Sequence, residues 1–374
     1  MGLAQGGTWR QRLRPHVMVF DAPLALIIAA LLSVGLVTLY SAGIAIPGKV
    51  ADQLRNIAAA VLVMWLVANI PPQMMMRLAV PAYALGVALL VAVALFGVIK
   101  GGSRRWLYVG TQIQPSELMK IAMPLMLAWF FQREQGHIRW QTYIIAAVLL
   151  AIPAGLIARQ PDLGTAMLVT MAGACVIFLG GVSWKALGAL GLAAAAALPA
   201  LWAVMHDYQR DRVLTLIDPY HDPLGKGFHI IQSMIAIGSG GVTGKGWTRG
   251  TQAHLEFIPE RTTDFIFAVF SEEFGLVGNL VLMVLYLLLI WRGLSITLSA
   301  ATLFTRLLAG AVTMIYFTYA FVNMGMVSGI VPVVGVPLPF MSYGGTALMT
   351  LGLGGGILMS IQRHSRAVRS GVRA

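Results

Sequence analysis

Nine of the 14 carboxylates in this 374-residue chain fall between Asp207 and Glu273, and four of its seven histidines (His206, His221, His229, His254) lie between 206 and 254. One of the nine stands apart. In "FIPERTTDFIFAV" (257–269), Asp264 leads directly into an apolar run. Two readings fit it. Thr262 or Thr263 caps a helix and Asp264 sits in the first turn, where the helix dipole favours an anion. Or Asp264 is a carboxylate at a water–membrane boundary, partly desolvated and available as a general base. Glu272 and Glu273 follow eight residues on, about 12 Å along a helix. They are too far to share a proton with Asp264, and basic groups inside the bundle are their expected partners.

Cations with a chemical use lie elsewhere. "GGSRRWLYVG" (101–110) places Arg104, Arg105 and Trp106 together. Trp is ordinary at a membrane interface. Two adjacent Arg fit a phosphate or diphosphate, which a guanidinium can grip in bidentate fashion. In "QPSELMKI" (114–121), Glu117 and Lys120 are three apart and can meet on one helix face. They form either a structural ion pair or a wet, substrate-facing one. In "RQPDLGTA" (159–166), Asp162 can cap the helix that follows. "IGSGGVTGKGW" (237–247) is not a phosphate-binding loop, because Ser239 stands where the first Gly belongs and Gly246 follows Lys245 where Ser or Thr belongs. It reads instead as a flexible, glycine-rich substrate loop. The four loop histidines lack metal-like spacing, so no structural metal site is expected.

The elements that must position these groups are membrane helices. The chain is 58% hydrophobic and 11% charged, with a mean hydropathy of +0.80, against about 25% charged residues in ordinary soluble domains. Apolar runs predict an all-α polytopic membrane protein with ten spans near 22–45, 55–71, 76–99, 117–132, 142–158, 163–180, 185–205, 264–291, 303–328 and 345–362. The basic run Arg10, Arg12, Arg14 precedes an uncleaved first span. Of the 26 Lys and Arg, thirteen lie in the tails and loops on the side of the termini and six in the opposite short loops. Both termini are therefore expected in the cytoplasm, with tails 1–21 and 363–374, one integral membrane domain over 1–374, and a large loop 206–263 facing outward. Topology and anionic headgroups account for much of the net charge of +12, and no nucleic acid is expected. The lone Cys175 allows no intrachain disulfide. "SGIVPVVGVPLPFMSYGG" (328–345), interrupted by Pro332, Pro337 and Pro339, cannot be a regular helix. It is expected to re-enter the bundle between spans nine and ten and to wall a site, since irregular backbone survives at depth only against protein or a cavity.

Taken together, "QPSELMKI", "RQPDLGTA", "HDYQRDRV", "DPLGKGFHIIQSMIAIGSGG", "FIPERTTDFIFAV" and "GIVPVVGVPLPFMSYGG" resemble the SEDS family (shape, elongation, division and sporulation), and its elongation branch most. The resemblance covers nearly the whole chain. It implies a peptidoglycan glycosyltransferase that polymerises lipid II into β-1,4 glycan strands at the outer face of the bacterial inner membrane. The family's essential Asp falls on Asp264, its Arg-Trp pair on Arg105 and Trp106, and its Glu and Lys on Glu117 and Lys120. Where the family usually has His two residues before the Asp, this chain has Thr262. The substrate contacts expected are Arg104, Arg105, Trp106, Glu117, Lys120, Asp162, Arg210, Arg212, Lys245 and Glu260. Whether a divalent cation shares the charge of the diphosphate is left open by the sequence, and no other cofactor is expected. The expected partners are lipid II, the growing polyprenyl-linked strand, a class B penicillin-binding protein, other elongation-complex membrane proteins and the bilayer. A lipid II flippase and a scaffold that only activates its partner are the alternatives.

Overall fold

A computed structural model describes residues 20–100, 103–109, 111–205, 207–225, 227–255, 257–258 and 260–371. Arg10, Arg12, Arg14, His206 and Glu256, with the side chains of Arg104, Asp207 and His254, lie outside the described residues. The helices are α1 (Ala22–Ala42), α2 (Lys49–Ala68), α3 (Pro72–Phe96), α4 (Pro115–Arg133), α5 (Trp140–Ala158), α6 (Leu163–Leu179) and α7 (Trp184–Val204). They continue with α8 (Asp207–Ile217), α9 (Phe228–Ser239), α10 (Thr251–His254), α11 (Ile266–Ser299), α12 (Leu303–Val327) and α13 (Gly345–Arg369). All ten expected spans are present as helices. Among the described residues, seven are long and apolar enough to cross a membrane (α1, α2, α3, α5, α11, α12, α13), and α6 is apolar but shorter.

Two features go beyond the expected all-α outline. Between α3 and α4 the chain forms a small antiparallel sheet in the order β1 (Val98–Lys100), β2 (Ser103–Val109), β3 (Thr111–Ile113). The large loop is itself structured and carries α8, α9 and α10.

Helices α12 and α13 are the buried middle of the bundle. Large apolar side chains such as Leu62, Leu85, Val284 and Leu287 are exposed on α2, α3 and α11, as lipid-facing surface requires. Glycine lets α13 and α2 approach closely. A Cβ added to Gly352 would lie 2.6 Å from the Ala60 carbonyl oxygen, and one on Gly356 would lie 2.6 Å from that of Met64.

At one end, Asp21 caps α1 by accepting from Leu24 N and binds Arg292 of α11 through two bonds, Nε at 2.8 Å and Nη2 at 2.6 Å. Arg366 of α13 adds a third contact at 3.0 Å. The other end of the bundle carries Asp264.

Candidate active site

The structure corrects the first-turn reading of Asp264. Helix α11 starts at Ile266, its N-cap position is Phe265, and no side chain caps it. Neither Thr262 nor Thr263 acts as the cap. The cause is non-local, because the backbone carbonyls ahead of the helix are taken by other elements. Tyr343 N donates to Thr262 O (2.9 Å), Ser342 Oγ to Thr263 O (2.7 Å) and Asn323 Nδ2 to Asp264 O (2.8 Å). Asn323 is fully buried near the end of α12 and also donates to Val336 O at 2.6 Å. One amide thus ties the Asp264 segment to the proline-interrupted loop 328–344, which is non-helical and buried at Val336, Leu338, Phe340 and Met341. That loop walls the site as its sequence requires. At Gly335 (φ 72°) a Cβ would lie 3.3 Å from Asp264 Oδ2, so a glycine here keeps the carboxylate clear and accepts the left-handed backbone.

Among the described residues, no group donates a hydrogen bond to the Asp264 carboxylate, which is partly buried. Burial, and then the negative charge of Glu260, push its pKa up to about 6, while the positive charge of Arg105 pulls the other way. Glu260 is exposed and accepts from Thr263 Oγ1 at 2.9 Å. Arg105, on β2, has a buried Nε without a partner among the described residues, and a buried unsatisfied donor is costly until an acceptor arrives. Among the described residues, a carboxylate without donors that feels the charge of a guanidinium with an unsatisfied buried Nε makes a base next to an anion subsite.

The remaining candidates divide. Trp106 follows Arg105 on β2 and is half-buried, whereas the side chain of Arg104 lies outside the described residues. Glu117 and Lys120 meet as the spacing allows, at 2.6 Å, near the start of α4, with Lys120 buried and Glu117 half-buried. Lys120 also donates to Tyr319 Oη, and Glu117 accepts from Thr350 Oγ1 at 3.0 Å. Lys120 is therefore committed inside the bundle rather than offered to a diphosphate. Glu117 and Thr350 border an otherwise apolar cavity of about 420 Å³ between α2, α3, α4 and α13. Asp162 caps α6 through Thr165 N at 3.1 Å and accepts from Gln114 Nε2 at 2.8 Å. Arg210 binds the carbonyls of Trp202 and Ala203 at the end of α7, and Arg212 is half-buried on α8. Lys245 pairs with Glu272 at 2.7 Å. The glycine-rich turn around it is docked onto α11 by backbone bonds such as Lys245 N to Glu272 O (3.0 Å), which corrects its reading as a flexible substrate loop.

Three groups escaped sequence reasoning. Asn323 carried a signal, as a polar residue inside the apolar run of α12. Gly335 carried only its place in the loop. His229 stacks on Phe265, ring centroids 5.7 Å apart, and its Nδ1 is buried without a partner among the described residues. Burial lowers its pKa against the opposing charge of Glu260.

A divalent cation needs several oxygen ligands. Asp264 and Glu260 are the two carboxylates at the site, and the charge of Arg105 already acts on Asp264. Among the described residues no group of three or more His, Cys, Asp or Glu is arranged to hold a metal. These residues do not form a preformed cation cage.

The chain shares 50% identity over 354 residues with the peptidoglycan glycosyltransferase MrdB of Escherichia coli K12, covering 94% of this chain and 96% of that protein. It is 32% identical to the peptidoglycan glycosyltransferase RodA of Treponema pallidum, covering 91% and 97%. Among solved structures, a chain of a peptidoglycan synthase complex that coordinates polymerization and crosslinking is similar at TM-score 0.80 and 34% identity, covering 92% of this chain and 98% of that one. The rod shape determining protein RodA of Thermus thermophilus is similar at TM-score 0.70 and 28% identity, covering 92% and 97%. The FtsW/RodA/SpoVE cell cycle protein profile matches residues 22–367. With nearly its whole length matched, the chain belongs to the FtsW/RodA/SpoVE family of cell cycle proteins.

Proposed function

We propose that the chain is an inverting peptidoglycan glycosyltransferase that polymerises lipid II, with Asp264 as its general base. The observation that carries this reading is the Asp264 carboxylate itself, partly desolvated and without a donor among the described residues, its pKa pushed up to about 6 by burial. A base in this range is ionised at neutral pH yet basic enough to take a proton in the transition state.

The growing strand is the donor, linked at C1 of its terminal MurNAc to a polyprenyl diphosphate. The 4-hydroxyl oxygen of an incoming lipid II attacks C1 as its proton passes to Asp264. The C1–O bond to the diphosphate breaks, and a single displacement turns the α-linkage into a β-1,4 bond. The leaving diphosphate gathers negative charge, and Arg105, whose buried Nε has no partner among the described residues, receives it in this reading. No step is routed through a metal. The substrate has a polar head and a polyprenyl tail, and the apolar cavity beside α2 and α13 suits the tail. In this reading the protein sits in the bacterial inner membrane with both termini in the cytoplasm and Asp264 at the outer face. A class B penicillin-binding protein supplies the cross-links.

Purified lipid II offered to wild type and Asp264→Asn, with the partner present and penicillin added to silence cross-linking, tests the proposal. A glycan ladder from wild type alone is expected. Equal ladders from both would overturn Asp264 as the base. No ladder from either, with an intact complex, would favour a flippase or scaffold.

A further inference from the structure

Helix α11 is not continuous. At Gly275 the backbone turns to φ 62°, ψ −159°, which separates a short segment, Ile266–Phe274, from the long one that follows. A regular helix would pair Leu276 N with Glu272 O and Val277 N with Glu273 O. Here all four groups bind the glycine-rich turn instead. Lys245 N donates to Glu272 O and Gly246 N to Glu273 O, while Leu276 N donates to Gly241 O and Val277 N to Val242 O, each at 3.0 Å. Glycine makes the insertion possible. A Cβ on Gly244 would lie 2.0 Å from Glu273 O, one on Gly240 2.1 Å from Ser271 O, and one on Gly275 2.3 Å from Gly244 N.

An ion pair between half-buried Lys245 and buried Glu272 closes the joint. The Glu272 side chain is fully buried, and its Oε1 accepts from Lys245 Nζ (2.7 Å), Thr251 N (2.8 Å), Gln252 N (3.0 Å) and Thr251 Oγ1 (3.0 Å). The same unit is anchored to the end of α1. Trp247 Nε1 donates to Val37 O at 3.0 Å, Arg261 Nε donates to Ala42 O at 2.9 Å, and Ser41 Oγ donates to Glu273. Asp264 lies two residues before the short segment that all these contacts hold.

We infer that the Lys245–Glu272 pair, acting across the Gly275 break, is the positioning device for the Asp264 carboxylate. It fixes the direction of Ile266–Phe274 and so holds the base against Arg105 and the Gly335 wall. Neither residue contacts the reacting atoms. The inference rests on the reading of Asp264 as the base, and it predicts a kinetic signature separate from that of substrate binding.

The test compares wild type, Lys245→Met and Lys245→Arg in lipid II polymerisation with the partner present, alongside amide hydrogen exchange in detergent. Lys245→Met should lower kcat about tenfold or more while KM changes less than about threefold, because an interaction made in the transition state alone affects kcat. The midpoint of its acid limb should move, since Glu260 and Arg105 would no longer face Asp264 at fixed distances. Lys245→Arg should restore kcat to within about threefold, because a guanidinium can still donate to the carboxylate. Exchange across 267–274 should rise about tenfold or more while 280–298 stays unchanged, a local rather than a global opening. A rise in KM with kcat kept would overturn the inference and make Lys245 a substrate contact. So would unchanged exchange across 267–274, whether or not any glycan is made. Loss of the ladder in wild type, with the exchange result as expected, would instead strike the polymerase reading alone. If Lys245→Met fails to fold, Thr251→Val removes a single donor to Glu272 and must show the same pattern in weaker form.

Discussion

Asp21 and Asp264 are the same residue type, each just ahead of a long apolar helix, at opposite ends of the bundle. Asp21 is 2% exposed and saturated by a helix N–H and two guanidinium groups. Asp264 is partly buried, faces another carboxylate, and receives no donor among the described residues. The first arrangement joins α1, α11 and α13. The second leaves an anion poorly stabilised and hence reactive. What surrounds an aspartate, rather than where it stands relative to a helix, decides whether it is a pin or a base.

The contrast can be broken from either side. The largest effect is expected from Asp264→Asn, which should lower polymerisation by about a hundredfold or more, as loss of a general base does. The same substitution should leave the fold intact and raise stability by about 1–3 kcal/mol, because burial pushes the Asp264 pKa up to about 6 and disfavours its charged form. A carboxylate whose folded pKa is raised loses stability as pH rises from its unfolded value of 3.8 to about 6, the full cost persists above that range, and Asn carries no charge to impose it. Thermal unfolding in detergent checks it, and a destabilised variant would argue that Asp264 has hidden partners. Asp21→Ala should do the reverse. Leaving Arg292 uncompensated at the bundle end should cost about 3–5 kcal/mol, with turnover per folded molecule nearly unchanged. Arg366 is 62% exposed, so Arg366→Ala should cost less than about 1 kcal/mol.

Acidity sharpens the same comparison. Polymerisation should rise with pH through about 6 as Asp264 loses its proton, and then level off. In Glu260→Gln the midpoint should fall, because the neighbouring negative charge that raises the Asp264 pKa is gone. A midpoint unmoved by that substitution would mean that Glu260 does not act on the base. The smallest effect is expected at Thr262, which is 5% exposed and contributes its carbonyl to Tyr343 N. Thr262→Ala should change kcat by less than about threefold, since the backbone contact survives.

Much of this arrangement is legible in the sequence because membrane helices are specified locally. The apolar run read as 163–180 is the helix Leu163–Leu179, and 303–328 is Leu303–Val327. Asp162 as a cap and Glu117 with Lys120 on one face also follow from spacing alone. The misreadings share one cause. Asp264 is kept out of its helix by Asn323 and Ser342, 59 and 79 residues from the carbonyls they bind. The glycines around Lys245 looked mobile because the groups they serve flank the break at Gly275, and Glu272 alone is 27 residues from Lys245. Propensity and periodicity see a few turns ahead, and neither registers a bond closed over such a distance.

The loop beside Asp264 has a final consequence. Pro332, Pro337 and Pro339 restrict the chain before it folds, and Tyr286 Oη holds Pro339 O at 2.7 Å once it has folded. A wall that is already ordered has little conformational entropy left to lose when a sugar arrives. Binding energy from a long, flexible substrate can then go toward aligning the two sugars rather than freezing the protein around them.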